Sequence, residues 1–218
     1  SEHLVSVIDV DDENGIQFLV IEYVNGPAAG SYLKQAKQAG RIGLPETEAL
    51  DICIAATKGL VAAHAERLVH RDIKPDNILI PKNRDGGQLN LCAAKLTDLG
   101  LVRGADITQS LTGGGVCLGT PGYMSPEQAL DAKHATQSSD IFGMGATLYA
   151  LLSGYAPFTG TALMKVFLAT RNEPHVPIQR FRSDVSGGTA RLLDCCLEKE
   201  PARRWTSAAA LLEGLEAC

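Results

Sequence analysis

No apolar run in this chain approaches the ~20 residues that a membrane-spanning helix requires. Ser1-Glu2-His3 does not open a secretory signal, and the lack of an initiator Met implies that the true start lies elsewhere. Basic charge is short as well: 20 Lys and Arg stand against 25 Asp and Glu, a formal net charge of −5. A deficit of that sign excludes nucleic-acid or anionic-membrane binding through a basic face. The cysteines, Cys53, Cys92, Cys117, Cys195, Cys196 and Cys218, contain no C-x-x-C pair. Cys195 and Cys196 would point in different directions on a helix and pack as small hydrophobes. Free thiols in a reducing cytoplasm are expected. Internal repeats, low-complexity tracts and linkers are missing too. What is present, 218 residues with 45% hydrophobic and 21% charged, suffices for one substantial core.

"HLVSVIDV" and "QFLVIEYV" are β-branched apolar runs on either side of Asn14-Gly15, two residues that tolerate positive φ. The pattern predicts an antiparallel hairpin over residues 4–10 and 17–23. A lone hairpin is marginal in water, so this one must lean on another element. Helix begins after Gly26: a short one over Ser31–Ala39, stopped by Gly40, then a long one from Pro45 in "PETEALDICIAATKGLVAAHAERL". The stripe of Leu50, Ile52, Cys53, Ala56, Leu60, Ala63 and His64 predicts burial of one face. "LVHRDIKPDNILI" follows, a dense polar cluster between apolar flanks, with "NILI" as a short strand, "RDGGQLN" as a turn and "AKLTDLG" as a second strand. Residues 101–121, rich in Gly, Thr and Ser, read as a long irregular loop, which at that length is functional or mobile. Three helix patterns come after it. "SSDIFGMGATLYALLSG" is capped by Ser139 and stopped by Gly154; "TARLLDCCLEK" ends ahead of Pro201; "TSAAALLEGLEA" starts at a Thr or Ser cap. The expected fold class is α+β, a small hairpin joined to a mainly helical body.

Three polar clusters carry the chemistry: Asp72, Lys74 and Asn77 on one loop, Asp98 at a strand end, and "GTPGYMSPE" from Gly119 to Glu127. Metal-assisted phosphoryl transfer needs hard oxygen ligands, positive charge for the phosphoryl oxygens and a base to align the nucleophile. H-R-D-x-K-x-x-N, then D-x-G, then G-T-P-x-Y-x-x-P-E resembles a eukaryotic-type serine/threonine protein kinase, as bacterial members of that family write it. The likeness covers essentially the whole chain, and its residue roles follow the family template.

By that resemblance Asp72 is the catalytic base, Lys74 neutralises the transferred phosphate and favours Ser/Thr over Tyr acceptors, and Thr120 bridges the two. Asn77 and Asp98 are the ligands of Mg²⁺ (or Mn²⁺). Ile21 takes the gatekeeper place, the Glu22 carbonyl and Val24 backbone face the adenine edge of ATP, and Leu79 lies beneath the ring. Arg71 pairs with a phosphorylated activation loop, whose candidate acceptors are Thr112, then Thr108 and Ser110. Autophosphorylation there, in trans through a dimer, is expected of the intact enzyme. Glu127 and Arg204 form a buried structural ion pair, and Asp140 holds the backbone around His70 and Arg71. His70 is a packing residue stacked with Leu99 and Val7, not a base.

The chain departs from the pattern in several places, the largest at its front. Leu99 stands where the family has Phe, which keeps the packing apolar; "PKNRDGGQLNLCAA" extends a turn on the surface; and Gly113-Gly114-Gly115 lies inside the activation segment, so it cradles no phosphate. Residues 1–24 contain no lysine, and neither a Gly-rich loop nor the strand lysine that grips the phosphates precedes the hinge. Residues 1–24 are therefore expected to be a remnant of the small lobe and the hinge, and 25–218 the large lobe with its activation segment at 98–127. Little turnover is expected of the 218 residues alone. The alternative is a non-catalytic kinase-like binding or scaffold module. A protein substrate, a cytoplasmic location and a membrane anchor beyond this segment complete what the resemblance implies.

Overall fold

Asn14 (φ 56°) and Gly15 (φ 80°) both take left-handed backbone, so the chain reverses in two residues between β1 (Val7–Glu13) and β2 (Ile16–Ile21). The computed structural model describes residues 1–83, 85–99 and 120–218. β1 and β2 are antiparallel, with Val10 opposite Leu19 and Glu13 opposite Ile16. The strands begin and end off the expected 4–10 and 17–23 because "HLV" is used elsewhere. Val5 N–H donates to Leu96 O and Leu96 N–H donates to His3 O, both at 2.9 Å. Residues 3–5 thus flank the second sheet as a parallel neighbour.

α1 (Ala29–Gln38) starts two residues ahead of the expected Ser31. α2 (Glu46–Ala65) buries Leu50, Ile52, Cys53, Ala56, Leu60 and Ala63 as the stripe predicts, and adds Ala49, Ala55, Thr57 and Gly59. The loop after α2 tightens into a 3-10 turn over Pro75–Asn77. It then enters β3 (Ile78–Leu79), paired antiparallel with β4 (Lys95–Leu96). Both strands are shorter than the sequence suggests. The connection between them is the surface extension expected, closed by an isolated bridge between Lys82 and Leu89.

Beyond residue 119 there are five helices among the described residues, two more than the patterns indicated: α3 (Pro126–Leu130), α4 (Gln137–Ser153), α5 (Leu163–Asn172), α6 (Gly187–Cys196) and α7 (Ala208–Glu216). α3 is five residues long, opened by a capping box in which Gln128 N–H donates to Ser125 Oγ. α5 escaped notice because Leu163, Met164 and Leu168 are exposed while Val166 and Ala169 are buried, so no single apolar stripe marks it. α6 stops at Cys196, earlier than "CLEK" implied.

α4 is the axis of the body: every residue from Ser139 to Ser153 is buried. Its N-cap is Thr136, not Ser139; Ser139 sits at the third helical position and its Oγ accepts the Thr136 N–H at 3.1 Å. Gly154 ends the helix at φ 80°. Ile141, Phe142, Met144, Leu148, Leu151 and Leu152 meet Ile52 and Leu60 of α2 and Ile78, Ile80 and Leu96 around the second sheet in one core. Gly26 permits the segment after β2 to press on this sheet, since a Cβ there would collide with the Ile80 carbonyl. No helix among the described residues is long and apolar enough to cross a membrane.

Candidate active site

The loop from Leu68 to Asn77 is built on a buried carboxylate. Asp140, on α4, has a fully buried side chain. It accepts the His70 N–H and the Arg71 N–H, each at 2.8 Å. His64 Nε2 of α2 lies 2.8 Å from the same Oδ2. Asp140 therefore sits where the sequence put it. Arg71 takes φ 72°, a left-handed value costly for a side-chain-bearing residue. Its carbonyl is fixed by Gln128 Nε2 at 2.8 Å.

His70 is buried, with Nε2 at 2.8 Å from the Thr97 carbonyl and Nδ1 accepting the Asp72 N–H at 3.3 Å. A carbonyl only accepts, so Nε2 carries the proton and the ring is a neutral connector between loop and strand. Val7, the expected stacking partner, is 55% exposed. Leu99 is half-buried.

The chemistry-bearing side chains converge. Lys74 Nζ donates to Asp72 Oδ2 and to Thr120 Oγ1, both at 2.7 Å. Asn77 Nδ2 donates to the Asp72 carbonyl at 2.8 Å and to Oδ2 at 3.1 Å, while the Thr120 N–H reaches Oδ1 at 3.3 Å. Asp72 remains about one third exposed, so a substrate can reach it. Thr97 N–H donates to the Asn77 carbonyl at 3.0 Å. That bond sets Asp98, exposed and left-handed at φ 61°, one residue beyond the neighbour of Asn77.

At the other end, Glu22 pairs with Lys95 at 2.7 Å. Lys95 holds the Glu22 carboxyl below its ordinary range, against the opposing effect of partial burial. The Val24 carbonyl accepts the Gly26 N–H at 2.9 Å. Ile21 ends β2 and is 41% exposed, while Leu79 is half-buried and bridged to Ala28.

Glu127 and Arg204 meet in a two-pronged ion pair of 2.7 and 2.8 Å. Arg204 also donates to the carbonyls of Glu198, Lys199 and Ser138 and lies over the Phe142 ring. Burial pushes the Glu127 carboxyl up, but the Arg204 contacts outweigh it and leave the group below its usual value. Thr108, Ser110 and Thr112, with Cys117 and Gly119, lie outside the described residues.

Three participants escaped the sequence reading: His64, Gln128 and Lys95. His64 looked like part of an apolar stripe. Gln128 had a signal, a Ser three residues ahead of a Gln. Lys95 had none, because its partner is 73 residues away in sequence.

A hairpin and hinge set against a mainly helical body, with acid, lysine, carboxamide and threonine in one network, define a kinase-like α+β fold. The chain matches the protein kinase domain model over residues 1–214 and belongs to that family. It is 37% identical over 224 residues to serine/threonine-protein kinase drp72 of Corynebacterium efficiens, which covers 100% of this chain and 39% of that protein. It is 34% identical over 224 residues to PknL, a serine/threonine-protein kinase of Mycobacterium tuberculosis, covering 98% of this chain and 50% of that one. The crystal structure of Rad53 1–466 in complex with AMP-PNP superposes with a TM-score of 0.74 at 23% identity, over 97% of this chain and 50% of that chain. The chain thus spans half or less of the length of these relatives.

Proposed function

We propose that the protein carrying this chain is a serine/threonine protein kinase that transfers the γ-phosphoryl group of ATP to protein hydroxyls. The observation that carries it is the Lys74 ammonium held between the Asp72 carboxylate and Thr120 Oγ1, 2.7 Å from each. A base able to orient an incoming hydroxyl and a cation able to meet the phosphoryl oxygens are thereby locked together before substrate arrives, which spares reorganisation at the moment of reaction.

In this scheme Asp72 takes the acceptor hydroxyl's proton and Lys74 faces the transferred group. Asn77 donates through Nδ2 to Asp72, which commits the amide nitrogen and leaves the amide oxygen as the atom that would meet the ion. Asp98 supplies an exposed carboxylate nearby. Among the described residues no three His, Cys, Asp or Glu side chains share a point. One carboxylate plus one amide oxygen still suits Mg²⁺, which commonly binds few protein ligands together with substrate phosphates. Such an ion would neutralise charge developing on the phosphates. The Glu22 carbonyl and Val24 backbone bind the adenine edge, beside Ile21 and above Leu79. Arg71 reads phosphate on the segment holding Thr108, Ser110 and Thr112. Residues 1–24 form the end of a small lobe and the hinge, residues 25–218 the large lobe, and the enzyme works in the cytoplasm.

The test uses the full-length protein with Mg²⁺, ATP and a generic protein acceptor. Asp72→Asn, matched to wild type in melting temperature, should lose about 10²–10⁴-fold in phosphate transfer. Transfer that survives the substitution overturns this mechanism, and a wild-type protein that transfers nothing favours the non-catalytic module.

A further inference from the structure

Glu22 and Lys95 form a contact that the phosphoryl-transfer scheme does not use. Glu22 stands one residue past β2, in the hinge, and Lys95 opens β4, three residues ahead of Asp98. Their charged atoms are 2.7 Å apart, and the same Glu22 Oε1 accepts the Ser6 N–H at 3.1 Å. The Glu22 N–H in turn donates to the Ser6 carbonyl at 3.0 Å. Ser6 follows Val5, whose N–H is bonded to the carbonyl of Leu96, the residue after Lys95. The contacts therefore close a ring: hinge to residues 5 and 6, those to β4, and β4 back to the hinge through the ion pair. Leu96 is fully buried, so the strand end of the ring is anchored in the core. Among the described residues this is the only ion pair that ties residues 1–26 to the helical body.

We propose that the Glu22–Lys95 ion pair is a strap that sets the spacing between the hinge and the strand bearing Asp98, making Glu22 and Lys95 positioning residues for bound nucleotide. The proposal rests on the kinase assignment, in which the hinge backbone meets the adenine edge and Asp98 the phosphate end. A nucleotide must touch both ends at once. Whatever fixes their separation therefore enters its affinity, while the acceptor protein binds elsewhere and does not feel it. The two side chains are 21% and 28% exposed, sheltered enough for the charges to attract and wet enough that the pair is not a core element.

A charge-swap cycle in the full-length protein tests the strap. Glu22→Lys and Lys95→Glu should each raise KM for ATP about fivefold, the factor that corresponds to ~1 kcal/mol for a pair of this exposure, without a matching rise in KM for the protein acceptor. The double variant restores the attraction with its sign exchanged and should return KM for ATP to within about twofold of wild type. Calorimetric titration with Mg²⁺-ATP should follow the same order. A pair that merely stabilises the fold would lower the melting temperature and the active fraction and leave KM for ATP unmoved. That result, or a double variant no better than the singles, overturns the strap. Where a reversed chain does not fold, Glu22→Gln and Lys95→Gln take its place, and an unchanged KM for ATP in both is equally decisive against it. An active wild type with indifferent variants sinks the strap alone; a wild type without phosphate transfer sinks the kinase assignment and the strap with it.

Discussion

The Arg204 side chain is fully buried and commits its guanidinium to two carboxylate oxygens of Glu127 and three carbonyls. Removing one partner of such a pair leaves the other charge sheltered and unmatched, so Arg204→Ala should cost ~3–5 kcal/mol in urea unfolding. The acid limb of the stability curve should change with it. Glu127 titrates below its ordinary value near 4.5 in the folded chain, so its contribution is full above that value and is lost as pH falls through the lower, folded one. Between pH 5 and 3 the wild type should therefore lose stability more steeply than Arg204→Ala. Both residues were legible because "SPEQ" and "PARRW" match the pattern of the family that the sequence resembles. His64 and Lys95 belong to no motif quoted for that resemblance, and each acquires its meaning only from its partner in the folded chain. A histidine on an apolar helical face and a lysine opening a strand look like any others until the chain has folded.

At the scale of elements, the long helices announced themselves and the short strands did not. α2 and α4 carry enough apolar residues to fill the core whatever their neighbours do, so pattern alone located them. β3 and β4 span two residues each, and their limits are set by His70, Thr97 and the entering segment 3–5, which no local window contains. The two candidate caps of α4 make the same point: Ser139 and Thr136 both suit a cap, and the helix starts after the earlier one, with Ser139 serving at its third position. Gly154 was legible as a stop and is needed as a glycine. Its φ of 80° disfavours any side chain, and a Cβ there would strike the Ile42 carbonyl. Gly154→Ala should destabilise by more than ~1 kcal/mol, seen as a lower urea midpoint at unchanged slope.

Across the whole molecule the body and the hairpin differ in how they are held. The body has one continuous core, whereas every residue of β1 is exposed, and Val10, Ile16, Phe18 and Val20 offer apolar surface on a two-stranded sheet with open edges. Such a surface invites pairing with other chains. The 218-residue chain by itself should therefore associate with rising concentration in light scattering, and Val10→Lys with Phe18→Lys should keep it monomeric. A chain that stays monomeric without those changes would show that the hairpin is not sticky. The anchoring of the loop on Asp140 has a further consequence, in time. His70 receives its carboxylate partner from 70 residues further along the chain. At ordinary rates of synthesis that stretch takes roughly 4–14 s to be made. For those seconds the nascent chain already carries Asp72, Lys74 and Asn77, but the residue that shapes the loop around them has not yet left the ribosome.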